Sequence, residues 1–258
     1  MRLVRFLAQD KPAWGILNGD DIAELDSPPF TRIKTSKTRL ISRVKLLPPC
    51  TPSKIVAVGL NYRDHAAELG MAIPDEPVIF LKPPTTVIGP GEAICHPAAS
   101  TRVDYEAELG VVVRARVKGI TPREAPGHIL GYTCANDVTA RDLQKKDGQW
   151  TRAKSFDGFC PVGPWLETGL DPDDLLIQSY LNGELRQSSR TSQLIFRVNE
   201  LVSFISGIMT LEPGDLIITG TPAGIGPMKP GDEVEVRIEG IGSLKNTVIA
   251  ECGARSAE

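Results

Sequence analysis

Apolar residues in this chain fall mostly in short runs closed by glycine, proline or asparagine, the pattern of strands joined by tight turns. Leu3 to Leu7, Trp14 to Leu17 and Asp21 to Leu25 read as a small β unit, with Asn18-Gly19 as the hairpin turn between the last two. Residues 27–49 are polar, basic and flanked by prolines, and read as a connector. From Lys54 onward strands are expected at 55–59, 77–84, 103–113, 130–136, 176–181, 184–186, 216–219 and 233–238. Asn182-Gly183 marks a second hairpin, and each of two Pro-Gly-Asp turns, at 213–215 and 230–232, feeds a strand. Helical signal is sparse. Val198 to Thr210 has the clearest period, with Leu201, Phe204, Ile205 and Ile208 on one face. Shorter helices are expected from Asp64 as cap to about Gly70, from Thr121 with Pro126 limiting it, and from Thr139, while Lys146 to Trp150 reads as a polar loop. The expected architecture is a β-rich α+β fold with a small amino-terminal β subdomain and connector over 1–50 and a larger unit over 51–258.

One stretch of this pattern carries chemistry. In Val103-Asp104-Tyr105-Glu106-Ala107-Glu108-Leu109 the period of two puts three carboxylates on one side, and the strand runs on into the apolar Val111-Val112-Val113. Neighbouring like charges taken out of water need a partner, and a cation is the simplest one. Taken alone, the window better fits a half-exposed strand with a charged outer face. Asp137, at the end of a later strand, either caps a turn or supplies a third carboxylate. Glu106, Glu108 and Asp137 together would be an oxygen-donor set with no cysteine or histidine beside them, which favours Mg²⁺, with Mn²⁺ or Ca²⁺ as substitutes, over zinc. On the short helix after Asp64, His65 and Glu68 are three residues apart, so they can meet. A carboxylate that orients an imidazole makes a workable general base. The same spacing also occurs in ordinary surface pairs. Lys154 reads from its neighbours as no more than a lysine.

Composition narrows the classes. With 24 glycines and 21 prolines in 258 residues, turn formers exceed their usual share, in keeping with many short strands. The net charge of −3, with both signs mixed along the chain, leaves no footprint for nucleic acid. No apolar run approaches a membrane span and the start is too short for a signal-peptide core, so a cytoplasmic protein is expected. Five scattered cysteines without a C-x-x-C pair indicate neither a thiolate zinc site nor a disulfide scaffold. The loop Thr219-Gly220-Thr221-Pro222-Ala223-Gly224 matches no phosphate-loop fingerprint, although its backbone could approach a small anion.

From about Ile55 to Val248 the sequence resembles the fumarylacetoacetate hydrolase family. The resemblance rests on Gly59-Leu60-Asn61-Tyr62-Arg63-Asp64-His65, Phe80-Leu81-Lys82-Pro83, Asp104-Tyr105-Glu106-Ala107-Glu108-Leu109, Asn136-Asp137-Val138-Thr139-Ala140-Arg141-Asp142, Lys154-Ser155-Phe156, Val162-Gly163-Pro164, Asn182-Gly183-Glu184 and Thr219-Gly220-Thr221-Pro222, in the family's order and spacing. It implies a mixed β-sandwich roll with short helices, usually a homodimer. It also implies a Mg²⁺ site at Glu106, Glu108 and Asp137, a His65-Glu68 dyad on a mobile lid, and a catalytic lysine at Lys154. Thr221, with Arg141 and Gln144, falls where the substrate would be held, and Asp104 is a neighbour rather than a ligand. Where the family's namesake enzyme adds an aspartate to the metal shell, this chain has Asn61, and its amino-terminal portion is much shorter. Both features resemble the acylpyruvate hydrolase, oxaloacetate-processing and 2-hydroxyhepta-2,4-diene-1,7-dioate isomerase/decarboxylase branches.

The expected function is therefore a Mg²⁺-dependent enzyme for a small 2-oxo acid with a second carbonyl or carboxylate in the β position. Its substrate would chelate the metal through the carboxylate and the 2-oxo or enolate oxygen. The reaction would be C–C hydrolysis of an acylpyruvate-type substrate, or decarboxylation or tautomerisation of oxaloacetate, with the dienedioate isomerase/decarboxylase as alternative. The expected partner is thus a small dicarbonyl acid, with neither nucleic acid nor membrane. A β-rich scaffold that binds a cation without catalysis is the rival from another class.

Overall fold

The computed structural model describes residues 1–30 and 33–250. Among them, twelve strands form one mixed sheet, whose main path runs from Thr35–Leu40 through Asp21–Leu25, Lys11–Asn18, Arg2–Ala8, Cys160–Glu167, Ile129–Asn136, Ala107–Val113, Leu216–Ile218 and Ile55–Val58 to Ile79–Lys82. A five-stranded sheet, Glu184–Arg190, Leu176–Leu181, Glu233–Ile238, Gly242–Ile249 and Ala93–Cys95, packs against it. A small third sheet joins Thr139–Ala140, Val103–Tyr105 and Gly226–Met228. This is the mixed β-sandwich roll that the resemblance implies.

The alternation of apolar residues explains the layers. In Ala107–Val113 every residue is buried, because the strand has a core on each side. Leu109 and Val111 face Ile177, Val236 and Ile238 of the five-stranded sheet, whereas Val112 belongs to a second cluster with Ile55, Ala57 and Leu216 on the opposite face. Four α-helices are described: α1 (Arg63–Leu69), α2 (Arg141–Asp147), α3 (Thr151–Lys154) and α4 (Val198–Ile208). The apolar face of α4, with Leu201, Val202 and Ile205, closes the core between the two large sheets.

Several local expectations shift by a few residues, each for a readable reason. Asn18 pairs with Asp21, so the first hairpin turns on Gly19-Asp20 rather than on Asn18-Gly19, with the positive φ at Gly19. The second hairpin turns on Asn182-Gly183 as expected, both with positive φ. Residues 27–49 are more than a connector: Thr35–Leu40 extends the meander and Leu46–Leu47 pairs with the first strand. Asp64 does not cap α1. It lies in the first turn after Tyr62 and accepts from the His65 N–H at 2.7 Å, whereas Gly70 ends the helix at φ 62° as expected. Thr139 starts no helix but a two-residue strand, and α2 begins at Arg141 and covers part of the supposed loop 146–150. Thr121 to Glu124 form a turn before a 3-10 helix at Ala125–His128. The amino-terminal meander is continuous with the large sheet, since Arg2 and Leu3 pair with Glu167 and Leu166.

Candidate functional site

The acidic stretch is two strands rather than one. Val103–Tyr105 belongs to the small sheet, Ala107–Val113 to the large one, and Glu106 sits at the break where the chain passes between them. Its N–H, with no strand partner there, donates to Asn136 Oδ1 at 2.9 Å, and its carbonyl accepts from the Asp137 N–H at 2.9 Å. The register of Ala107 with Asn136 and Glu108 with Ala135 therefore places Asp137 beside Glu106 just beyond the ladder. Carboxylate oxygens of Glu106, Glu108 and Asp137 lie within 4.8 Å of one another, and all three residues are buried. Asp104 stays outside the cluster. It is held by Arg102 Nε at 2.8 Å and by Arg141 Nε at 2.9 Å.

Side-chain cations surround this cluster unevenly. Lys154, at the end of α3, donates to Glu106 Oε2 at 2.8 Å and to Asp137 Oδ2 at 2.6 Å. Lys82 donates to Asp137 Oδ1 from the other side, and Arg141 to Glu106 Oε1. Burial acts to raise the Glu106 carboxyl, but Lys154 and Arg141 outweigh it and hold it below the ordinary range. The same carboxylates hold the Lys154 ammonium above its ordinary value although burial opposes this. Glu108 differs. Its described partner is the Gly220 N–H at 2.7 Å, and burial, with Asp137 and Glu106 alongside, pushes its carboxyl well up. A buried carboxylate without a side-chain ion pair of its own among the described residues fits a hard cation held jointly with Glu106 and Asp137.

The remaining expected residues converge on one cavity of about 300 Å³. His65, Glu106, Glu108, Arg141, Gln144, Lys154 and Thr221 all line it, with Phe80 and Trp150 as an edge-on aromatic wall. Asp137 lies behind Lys154, and Glu68 behind His65. His65 Nδ1 is 2.9 Å from Glu68 Oε2, and Glu68 Oε1 also accepts from the Gly224 N–H at 3.1 Å, so the pair fastens α1 to the loop that carries Thr221. Arg141 Nη1 donates to Gln144 Oε1 at 2.6 Å. The 219–224 loop turns its Gly220 N–H to Glu108 rather than to an incoming anion. Gly220 has a φ of 95°, and a Cβ there would come within 2.8 Å of the Asn61 Cβ. Asn61 is not in the acidic cluster: its amide bonds the backbone of Thr219 at 2.7 Å and of Phe196 at 2.8 Å, which fixes the loop.

Three contributors escape sequence reasoning. Lys82 stands in the Phe80-Leu81-Lys82-Pro83 run, but only the fold brings it against Asp137. Asn136 completes the backbone at the strand break. Gln187, on a distant strand, donates to Thr221 Oγ1 and to the Pro222 carbonyl, both at 2.8 Å, and accepts from the Ala107 N–H at 3.0 Å. A polar residue on the inward side of an alternating strand is the signal that could have flagged it.

Comparison with known proteins covers the whole arrangement. Residues 54–249 match the model of the fumarylacetoacetate (FAA) hydrolase C-terminal family, and residues 1–49 match the Rv2993c-like amino-terminal model. The chain is 44 % identical over 221 residues to a mitochondrial oxaloacetate tautomerase of Bos taurus, covering 81 % of this chain and 70 % of that one. The structure of 2-hydroxyhepta-2,4-diene-1,7-dioate isomerase from Mycobacterium marinum superposes with a TM-score of 0.92 at 44 % identity, covering 98 % of this chain and 100 % of that one. That of maleylpyruvate hydrolase from Sphingobium gives 0.82 at 28 % identity, covering 97 % and 100 %. These similar proteins are enzymes of tautomerase, isomerase and hydrolase type. Among the described residues, no helix is long and apolar enough to cross a membrane.

Proposed function

The chain belongs to the fumarylacetoacetate hydrolase family, and on that premise we propose that it is a Mg²⁺-dependent enzyme acting on a small 2-oxo acid with a second carbonyl or carboxylate in the β position. The observation that carries this reading is the cavity itself: Glu106 and Glu108 share its lining with Lys154 and with His65, which is paired to Glu68. Glu106, Glu108 and Asp137 would hold the ion. When bound, Mg²⁺ supplies Lewis-acid stabilisation of negative charge that develops on the substrate's 2-oxo oxygen.

The chain's own residues do the rest. Lys154 presents an ammonium to the cavity and supports the same developing charge. Arg141, Gln144 and Thr221 orient the substrate, Thr221 being fixed by Gln187. In hydrolysis of an acylpyruvate-type bond, His65 takes a proton from water at the ring nitrogen opposite Nδ1, while Glu68 holds the ring at Nδ1. In oxaloacetate decarboxylation or tautomerisation the same charge forms without an attacking water. Similarity to the dienedioate isomerase supports the second reading, isomerisation or decarboxylation of a 2-hydroxydienedioate. The reading also takes the protein as a cytoplasmic homodimer, with a small β subdomain over 1–50 and a catalytic unit over 51–258.

An ultraviolet assay of an acylpyruvate, of oxaloacetate keto-enol exchange and of a 2-hydroxydienedioate, each with Mg²⁺ and with EDTA, tests the proposal. Turnover of at least one substrate that EDTA abolishes is the expected result. No metal-dependent turnover of any of them would leave the cation-binding scaffold as the better description.

A further inference from the structure

Three side-chain cations other than the histidine line the cavity: Arg141, Lys145 and Lys154. Two are matched inside the protein, Arg141 by Asp104 and Glu106, and Lys154 by Glu106 and Asp137. Lys145, exposed on α2, makes no ion pair or side-chain hydrogen bond among the described residues. Carboxylates on its own helix are committed elsewhere. Asp142 accepts from Ser100 Oγ at 2.6 Å and from the Thr101 N–H at 2.9 Å, and Asp147 accepts from Arg152 Nε at 2.7 Å.

The charge deeper in the site sharpens this observation. Glu106, Glu108 and Asp137 are faced by three side-chain cations, Lys82, Arg141 and Lys154, so the cluster carries no formal excess of negative charge before any ion binds. A divalent cation makes it positive, and one substrate carboxylate at the cluster compensates only half of that charge. The cavity lining also includes the apolar side chains of Leu60, Leu69, Phe80 and Trp150, which accept a carbon chain whatever its end group.

We propose that Lys145 is a specificity-determining residue that pairs with a second, distal carboxylate of the substrate, so that dicarboxylic 2-oxo acids are selected over those ending in a neutral acyl group. The inference rests on the functional reading above and selects within it. Oxalate and malate separate the two on the Mg²⁺-loaded protein, because oxalate offers only the chelating end whereas malate adds a distal carboxylate. By calorimetry, Lys145→Met is expected to weaken malate binding about fivefold, to leave oxalate binding unchanged, and Lys145→Arg to retain malate binding. In the assays, Lys145→Met raises KM for oxaloacetate keto-enol exchange with kcat held, because the distal carboxylate keeps its charge there, and leaves a neutral-ended acylpyruvate unaffected. Malate and oxalate responding equally, or neither responding, overturns the role of Lys145 while the metal site stands. Failure of both to bind the parent protein overturns the functional reading, and the inference with it.

Discussion

Lys154 donates to Asp137 Oδ2 at 2.6 Å, an ammonium and a carboxylate paired where neither is exposed to water. Desolvating two charges is unfavourable, and their attraction offsets this only while both are present. Replacing Lys154 leaves Asp137 to Lys82 and Glu106 to Arg141, but removes two charge-assisted hydrogen bonds from a buried network. Lys154→Met should therefore cost about 2 kcal/mol or more of stability in the metal-free protein, read from urea unfolding in EDTA. Saturating Mg²⁺ should recover part of that loss, because a second cation then reaches Asp137 and Glu106. An equal loss with and without Mg²⁺ would place the ion elsewhere.

Glu106 is held by both Lys154 and Arg141 and stands at the strand break, so its backbone position does not depend on its charge. Glu106→Gln keeps the shape and removes one ligand charge. The expected outcome is a fall in Mg²⁺ affinity of about a hundredfold, measured by calorimetry, with loss of turnover on every substrate. A folded variant with parental rate and affinity would show that the ligand assignment is wrong.

Glu108 makes stability depend on pH in an unusual direction. Burial, then Asp137 and Glu106, raise its carboxyl in the folded protein, while the unfolded chain titrates near about 4.3. Above that value the unfolded chain releases a proton that the folded protein retains, so this group's contribution falls as pH rises toward the raised value. In EDTA, Glu108→Gln should thus be more stable than the parent at about pH 8 and equal to it at about pH 4. Urea midpoints at the two pH values check this, and a variant less stable than the parent at the higher pH contradicts it.

His65 and Glu68 separate the reactions. If water attack is the chemistry, His65→Ala should abolish acylpyruvate cleavage yet leave enolate decarboxylation of oxaloacetate largely intact. Glu68→Gln, which loses the charge at Nδ1 but can still meet the Gly224 N–H, should lower cleavage by about 10- to 100-fold. Parallel rates on the two substrates decide the matter, and an equal loss on both would undo this division of roles.

Much of the site was legible because it depends on short-range spacing. His65 and Glu68 meet because three residues make nearly one helical turn. Glu106 and Glu108 stand two residues apart in nearly extended chain, which keeps them neighbours even though Glu106 sits at the break between two strands. Asn182-Gly183 turns where its positive-φ tolerance predicts. The misplacements also have physical causes. Gly19-Asp20 takes the first turn because strand register, not local preference, decides which pair closes the hairpin. Thr139 joins a strand because Asp104 of the small sheet is there to pair with it.

By itself the sequence determined the β-rich class, the family resemblance, the neighbouring carboxylates Glu106 and Glu108 and the helical spacing of His65 and Glu68, since each is written in residue type and short-range order. Only the tertiary structure decided what neutralises the carboxylates. The break at Glu106 between two sheets brings Asp137 alongside, and the packing of sheet against sheet delivers Lys82 to Asp137 and Gln187 to Thr221. It also leaves Lys145 facing the cavity without a carboxylate. These relations join residues far apart in the chain, and no local spacing encodes them, because long-range register and the electrostatics of burial arise only when separate elements pack together.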